Sequence, residues 1–151
     1  MSENNFAASI KYRQAASTTI AAETLVCIDT GGLLQNAADT AGWRFAGVNQ
    51  NRSVASAEGL GTLGGIARAD VYLQGKFMAQ LVKAGTNPSI ILDSVYARSA
   101  TTVQDATDAA NDIYVGRILK FLNSANPVDY KDDTSVTATC YVLVGYDVTT
   151  Q

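Results

Sequence analysis

The feature that most constrains the fold is an alternation of apolar and polar side chains along two long segments. The closing segment "SVTATCYVLVGYDV" spans residues 135–148. One face of that segment holds Val136, Ala138, Cys140, Val142 and Val144. The segment "ARADVYLQGKFMAQLV", residues 67–82, contains two alternating runs that meet at Gly75. A period of two is typical of β-strands, and a glycine between two such runs predicts a bulge or a bend.

Shorter apolar runs add further strands. "TLVCID" and "TGGLLQ" flank Gly31 and Gly32 and predict a tight hairpin, and "WRFAGV", "SIILDSVYA" and "DIYVGRILKF" also have strand character. Helical periodicity is weak and is best in "TVQDATDAANDI", residues 102–113. The sequence therefore predicts a mainly β protein, a compact antiparallel barrel or sandwich-like domain with one or two short helices.

The chain of 151 residues fits a single domain. Residues 1–17 lack a clear period and predict an extended N-terminal arm that a neighbouring molecule orders. Residues 18–151 are expected to form one β-rich domain, in which residues 51–66, "NRSVASAEGLGTLGGI", are a long loop insertion. Charged residues make up only 17% of the chain, so hydroxyls and amides keep its surface soluble or partners cover part of it.

Charge and hydropathy exclude several partners. The formal net charge is −3 and basic residues are dispersed, which argues against nucleic-acid binding. No apolar run has membrane-spanning length, and the N-terminus lacks the pattern of a signal peptide. We therefore expect no membrane partner and assembly in a cytosol.

The chain contains no histidine. This excludes Ser-His-Asp and Cys-His nucleophilic sites and zinc sites that need imidazole. Cys27 and Cys140 lie in separate apolar runs and are interpreted as two small buried residues, because a disulfide would require their strands to be neighbours. No cofactor motif is present, and no cofactor is expected.

Three aspartates precede an apolar run in "DATDAANDIYVGRILKF". Asp105, Asp108 and Asp112 are compatible with a metal site, a catalytic carboxylate cluster or a solvated loop. Calcium loops usually place a glycine at their sharp turn, and alanines fill the gaps here, so the loop interpretation is favoured. The pair Asp132–Asp133 is interpreted in the same way, and Asp29 is interpreted as a turn residue.

Two enzymatic alternatives remain open on the residues alone. Asp70 and Asp93 would be the first pair to test for carboxylate hydrolysis, which needs two opposed acids in a cleft. Lys76 and Lys83 flank apolar residues, where a lysine is either a reactive buried amine or, more commonly, a solvated residue at a strand edge. A third alternative is a carbohydrate- or peptide-binding β module that uses some of the seven tyrosines.

The order of the segments carries a further indication. "DTGGLLQ", "AGWRFAGV" and "YVGRIL", together with the runs between residues 18 and 145, resemble the layout of capsid cement, or head-decoration, proteins of tailed bacteriophages. The 51–66 insertion and the N-terminal arm depart from that layout. The resemblance implies no enzymatic activity and a homotrimer that binds the major capsid protein on the outside of the virion, after assembly in the host cytoplasm.

The resemblance also directs attention to residues that would make contacts. Candidates for contact with the capsid are Phe6, Ile10, Tyr12, Arg13, Arg52, Val54, Leu60 and Leu63. Trp43 and Tyr72 are candidates for the trimer interface, although a tryptophan in such a strand more often belongs to the core.

Overall fold

The computed structural model describes residues 5–50, 53–54, 68–82, 89–104, 110–122, 129–130 and 137–144. The described residues form thirteen β-strands. They are β1 (Asn5–Arg13), β2 (Thr19–Ile20), β3 (Leu25–Ile28), β4 (Leu34–Asn36), β5 (Arg44–Asn49), β6 (Ser53–Val54), β7 (Arg68–Val82), β8 (Ser89–Ile90), β9 (Ser94–Ala97), β10 (Thr102–Gln104), β11 (Tyr114–Phe121), β12 (Asp129–Tyr130) and β13 (Thr137–Val144).

Five strands close into a barrel in the order β7, β13, β11, β9, β10 and back to β7. The pairs are antiparallel except for the closing one, in which residues 102–104 of β10 run parallel to residues 80–82 of β7. Closure gives these strands partners on both sides. The mainly β class predicted from the sequence is confirmed, and of the two forms expected, a barrel or a sandwich-like domain, the structure has the barrel.

Strand β11 is irregular on both of its edges. Its register shifts opposite β9 between Tyr114 and Gly116, and opposite β13 between Ile118 and Lys120. Each shift leaves one extra residue on β11, which increases local twist and helps a small sheet to close.

A second sheet shares strand β7 with the barrel. Its order is β1, β7, β5, β3 and β4, and all of its strand pairs are antiparallel. A parallel bridge joins Gln14, just after β1, to Leu34 of β4, and the Ala15 N–H donates to the Leu34 carbonyl at 3.0 Å. The last strand of the second sheet, β4, is therefore hydrogen-bonded to the residues that directly follow its first strand, β1.

Strand β7 serves both sheets because it changes partner near its middle. Residues 71–72 pair with β5 and residues 75–82 pair with β13. Gly75 has a φ of 154°, a conformation that favours glycine. The register with β1 continues unchanged through Gly75, and the described pairing with β13 ends at it, so of the bulge or bend expected there the bulge is absent.

Two apolar cores lie on opposite faces of strand β3. Leu25 and Cys27 belong to the main core and Val26 to the second core, because successive side chains of a strand point to opposite faces. The main core fills the barrel and includes Phe77, Leu81, Val95, Ile118, Phe121 and Val142. The second core consists of Ile20, Val26, Leu34, Ala69 and Val71.

Two glycines permit close approach between strands. A Cβ on Gly47 would lie 2.0 Å from the Tyr72 carbonyl oxygen, and a Cβ on Gly116 would lie 1.9 Å from that of Leu143. Gly47 also has a φ of +148° and lies where the register between β3 and β5 shifts. Gly47 of "AGWRFAGV" and Gly116 of "YVGRIL" are therefore explained by the close packing of neighbouring strands.

Three expectations need correction. The described residues contain no helix, and residues 102–104 of the expected helical segment form β10, because β-branched Thr102 and Val103 pair with β7 and β9. Residues 5–13 were expected in an arm, but they form β1, which pairs with the backbone of β7. Within the expected loop 51–66, residues 53–54 pair with β2.

Candidate functional site

The predicted contact residues of the N-terminal segment lie on or beside strand β1. Ile10 is 46% exposed, Arg13 is exposed, and Tyr12 is half-buried against the second core. The backbone of Phe6 pairs with Gly75 of β7. The structure thus aligns these residues along one strand and gives Tyr12 a packing role as well.

Of the four predicted contact residues in the 51–66 segment, only Val54 lies in the part of the chain that the structure describes. Val54 belongs to strand β6, where it pairs with Thr19. Arg52, Leu60 and Leu63 lie outside the described residues.

Trp43 and Tyr72 both pack against the main core and are half-buried. Tyr72 pairs with Ser9 of β1 on one side and with Val48 of β5 on the other. Trp43 was considered for either the trimer interface or the core, and its packing against the main core accounts for its position.

Asp29 is a turn residue, as predicted. Its carboxylate accepts hydrogen bonds from the backbone N–H groups of Gly31 and Leu33 at 2.8 and 3.0 Å and from the Gln35 amide at 2.8 Å. The bond from Gln35 and those from the backbone lower the pKa of Asp29. This Asx turn connects β3 to β4, whose pairing confirms the predicted hairpin.

The two carboxylates considered for hydrolysis lie in different surroundings. Asp70, on the first half of β7, forms an ion pair of 2.8 Å with Lys11 of β1. Asp93 is exposed in the turn before β9, and its carbonyl accepts from the Ile118 N–H at 3.0 Å. The structure does not present them as an opposed pair.

The other charged residues selected in the sequence analysis do not form a cluster within the described part of the chain. Asp112 is exposed with a φ of 51°. Asp105, Asp108, Asp132, Asp133 and Lys83 lie outside the described residues. Over the ranges that the structure describes, no three acidic, cysteine or histidine side chains gather in a way that could hold a metal ion.

Both cysteines are free, buried members of the main core. Desolvation raises the pKa of Cys27 to about 11, although a backbone hydrogen bond from Ala38 opposes it, and burial raises the pKa of Cys140 to about 12. Cys27 lies on β3 and Cys140 on β13, which are not neighbouring strands. The interpretation as buried apolar residues is confirmed.

Asp39 forms a polar cluster that the sequence analysis missed. One carboxylate oxygen accepts from the Gln104 amide and from the Ala110 N–H, both at 2.9 Å. The other accepts from the backbone N–H and the side-chain amide of Asn111, both at 3.0 Å. Partial burial alone would raise the pKa of Asp39, but these bonds outweigh it and the pKa is lowered.

The Asp39 cluster joins distant parts of the chain. Its partners are 65 to 72 residues away in sequence. Gln104 is 3% exposed and also donates to the carbonyl of Ala97 at 3.0 Å. The cluster therefore ties the segment after β4 to the ends of β10 and to the start of β11, and all four bonds use the carboxylate as an acceptor. It has the form of a structural clamp.

The barrel exposes one face formed by β7, β13 and β11. Cross-strand partners share a face of a sheet, so the register defines two rows of side chains: Lys76, Leu143 and Arg117, and Met78, Tyr141 and Lys120. We call these six residues the outer face. Three of them are cations and none is acidic, on a chain with a net charge of −3.

A cation–π contact joins Lys76 and Tyr141 on this face. The Lys76 ammonium lies 4.6 Å from the centroid of the Tyr141 ring, which is a cation–π distance. Met78, beside Tyr141, is 50% exposed. Lys76, considered above as a reactive amine, is thus half-buried over an aromatic ring.

A tight turn borders the outer face beyond β11. Leu92 has a φ of 73° and is 58% exposed. Its N–H donates to the Ile118 carbonyl at 2.7 Å, and its carbonyl accepts from Arg117 Nη1 at 2.9 Å. Together with the bond from the Ile118 N–H to the Asp93 carbonyl, these contacts hold the Leu92 backbone at a positive φ that leucine rarely adopts.

The chain was compared with known proteins in three ways. Protein-family models, curated proteins and solved structures yield no match to it. Among the described residues there is no helix with the length and apolar character needed to span a membrane.

Proposed function

We propose that this chain is a viral structural protein that decorates an assembled capsid and stabilises it. The major capsid protein is the proposed partner, together with further copies of the chain itself. The proposed location is the outer surface of the virion, reached after assembly in the host cytoplasm.

The observation that carries the proposal is the position of β1. On one side this strand pairs with β7, and on its other side the described residues contribute only the bridge between Gln14 and Leu34. An edge strand offers backbone N–H and C=O groups to a second chain. Ile10 and Arg13 add an exposed apolar and an exposed cationic side chain to that edge.

A decorating protein of this kind acts by linkage. It binds the assembled shell and not the separated subunits, so it shifts the equilibrium toward the shell by mass action. At a free concentration one hundred times the dissociation constant, each occupied site contributes about 2.7 kcal/mol. Many repeated sites therefore give a large total effect without any bond-making chemistry.

The test mixes purified chain with empty shells of the virus whose genome carries it. Co-sedimentation and a rise in the temperature at which the shells dissociate are the expected results. The variants Ile10→Asp and Arg13→Glu should weaken binding, whereas Arg44→Glu, the same charge reversal at an exposed arginine on β5, should not. Shells whose dissociation temperature stays unchanged at saturating protein would overturn the proposal.

A further inference from the structure

The outer face concentrates cations on a chain that is acidic as a whole. Lys76, Arg117 and Lys120 lie on this face, whereas the formal net charge of the chain is −3. Lys120 is exposed, and the other two are half-buried. Within the described part of the chain the one ion pair joins Lys11 to Asp70, so none of the three cations is paired with a described carboxylate. Their charge is therefore available to a partner.

The register of the sheet sets the spacing of these cations. Lys76 and Arg117 lie two strands apart with Leu143 between them, a separation of about 10 Å. Arg117 and Lys120 are three residues apart on β11, again about 10 Å. An extended peptide advances about 7 Å every two residues, so acidic side chains two to four positions apart span these distances. Lys76 can take part while it lies over the Tyr141 ring, because an ammonium has three N–H donors.

The Arg117 guanidinium has a donor that lacks an acceptor. Its Nη1 donates to the Leu92 carbonyl at 2.9 Å, but its Nε is buried and has no hydrogen-bond partner among the described residues. A buried donor of a charged group that stays unpaired costs free energy. A carboxylate that draws the guanidinium outward would supply the acceptor, because the two oxygens of a carboxylate match the fork of an arginine.

Apolar side chains lie between and beside the cations. Leu143, which is half-buried, separates Lys76 from Arg117 in the register. Leu92, which is 58% exposed, is joined to Arg117 through its carbonyl and has a positive φ, a conformation that costs free energy. Covering such apolar surface is favourable. A partner that matches this face therefore carries apolar groups as well as carboxylates.

We propose that the outer face binds an acidic segment of a partner protein, in which carboxylates and apolar side chains alternate along one side. The carboxylates accept hydrogen bonds from Lys76, Arg117 and Lys120. The apolar side chains cover Leu143 and Leu92. This site is distinct from the exposed edge of β1 that carries the proposed function, and it does not depend on binding to shells.

A polypeptide matches the face better than a nucleic acid does. With Asp93 of the bordering turn counted, the face has three cations against one carboxylate. Double-stranded DNA carries one charge per about 1.7 Å, and beyond the outer face a chain of net charge −3 repels such a polyanion. A short acidic segment carries no more charge than the face can neutralise, and its apolar side chains meet Leu143 and Leu92.

The experiment titrates purified chain into a short fluorescein-labelled peptide and follows fluorescence anisotropy. Glutamate and leucine alternate on one side of the peptide, and serine fills the positions between them. We expect saturable binding that weakens severalfold between about 0.1 M and about 1 M NaCl, because the Debye length falls from about 10 Å to about 3 Å. The same peptide with glutamine in place of glutamate, and an oligonucleotide of equal charge, should not bind at these concentrations.

Substitutions locate the site. Lys120→Gln and Lys76→Gln should each raise the dissociation constant about two- to fivefold. Arg44→Gln, at an exposed arginine on β5, is the matched control and should leave it unchanged. Leu92→Asn introduces a residue that tolerates a positive φ. It should weaken binding of the leucine peptide severalfold and have no further effect on a peptide in which serine replaces leucine. Far-ultraviolet circular dichroism confirms that every variant retains its β structure.

Several outcomes would overturn the inference. They are no saturable binding at the highest soluble concentration, equal binding of the glutamine peptide or of the oligonucleotide, or unchanged affinity when both lysines are replaced by glutamine. The shell-binding assay keeps the two proposals separate. A chain that binds shells but not the acidic peptide overturns this inference alone, and a chain that binds the peptide but not shells overturns capsid binding alone.

Discussion

Strand β11 approaches β13 too closely at Gly116 to admit a side chain, and Gly116→Ala tests that approach directly. The added Cβ would lie 1.9 Å from the Leu143 carbonyl oxygen, 2.8 Å from its carbon and 3.1 Å from the Val144 Cα. All three atoms belong to the backbone of β13, so no flexible side chain can move aside. Relief requires β11 and β13 to separate.

The magnitude follows from two opposing contributions. Overpacking in a tight site costs about 1–3 kcal/mol and occasionally more, and a clash with backbone belongs at the upper end. Replacing glycine by alanine reduces the entropy of the unfolded chain and returns about 0.4–1 kcal/mol. We expect a net loss of about 2 kcal/mol, which for a chain of this size lowers Tm by about 4–8 °C.

Gly31→Ala is the matched control. Gly31 is exposed, and its added Cβ would meet only a side-chain oxygen, that of Asp29, at 3.3 Å. Its stability should change by no more than about 0.5 kcal/mol. Urea and thermal unfolding can be followed by the fluorescence of Trp43, the single tryptophan. If Gly116→Ala proves as stable as Gly31→Ala, the argument from close approach is refuted.

Three further predictions concern the polar cluster, the thiols and the second sheet. Asp39→Asn places an amide against its donors and should cost about 1–3 kcal/mol in urea unfolding. Because the pKa of Asp39 is lowered in the folded state, its stabilisation is present above the ordinary value of 3.8 and is lost as the pH falls below it. The acid-induced loss of stability should therefore be smaller in Asp39→Asn, and an equal loss would contradict the assigned bonds. Cys27 and Cys140, with pKa values of about 11 and 12, should react with a thiol reagent at pH 8 only after unfolding, and rapid labelling of the native chain would show that the main core is open. Gly47→Ala combines a clash at 2.0 Å with a positive φ and should destabilise by about 2 kcal/mol or more; wild-type stability would show that β5 and β7 can separate at little cost.

The predicted contact residues illustrate the limit of sequence reasoning about the site. Ile10 and Arg13 were selected for an apolar and a cationic character that the structure leaves at the surface. Leu92, Met78, Arg117 and Lys120 were not selected, and Lys76 was considered only as a reactive or solvated amine, since their runs alternate like those of any other strand. Only the register of β7, β13 and β11 brings Lys76, Arg117 and Lys120 to one face.

The local pattern was sufficient for the strands β3, β4, β5, β7, β9, β11 and β13, for the β3–β4 hairpin and for the buried cysteines. Those features depend on the period of two and on turn chemistry, which a few consecutive residues express. The closing pair of β10 with β7, the course of β1 and the Asp39 cluster depend on residues far apart in the chain. Such pairings are chosen by backbone hydrogen bonding and by the packing of two cores, and no short segment encodes them. For that reason the alternation revealed which residues would be buried, while tertiary structure alone decided which surfaces remain open to a partner.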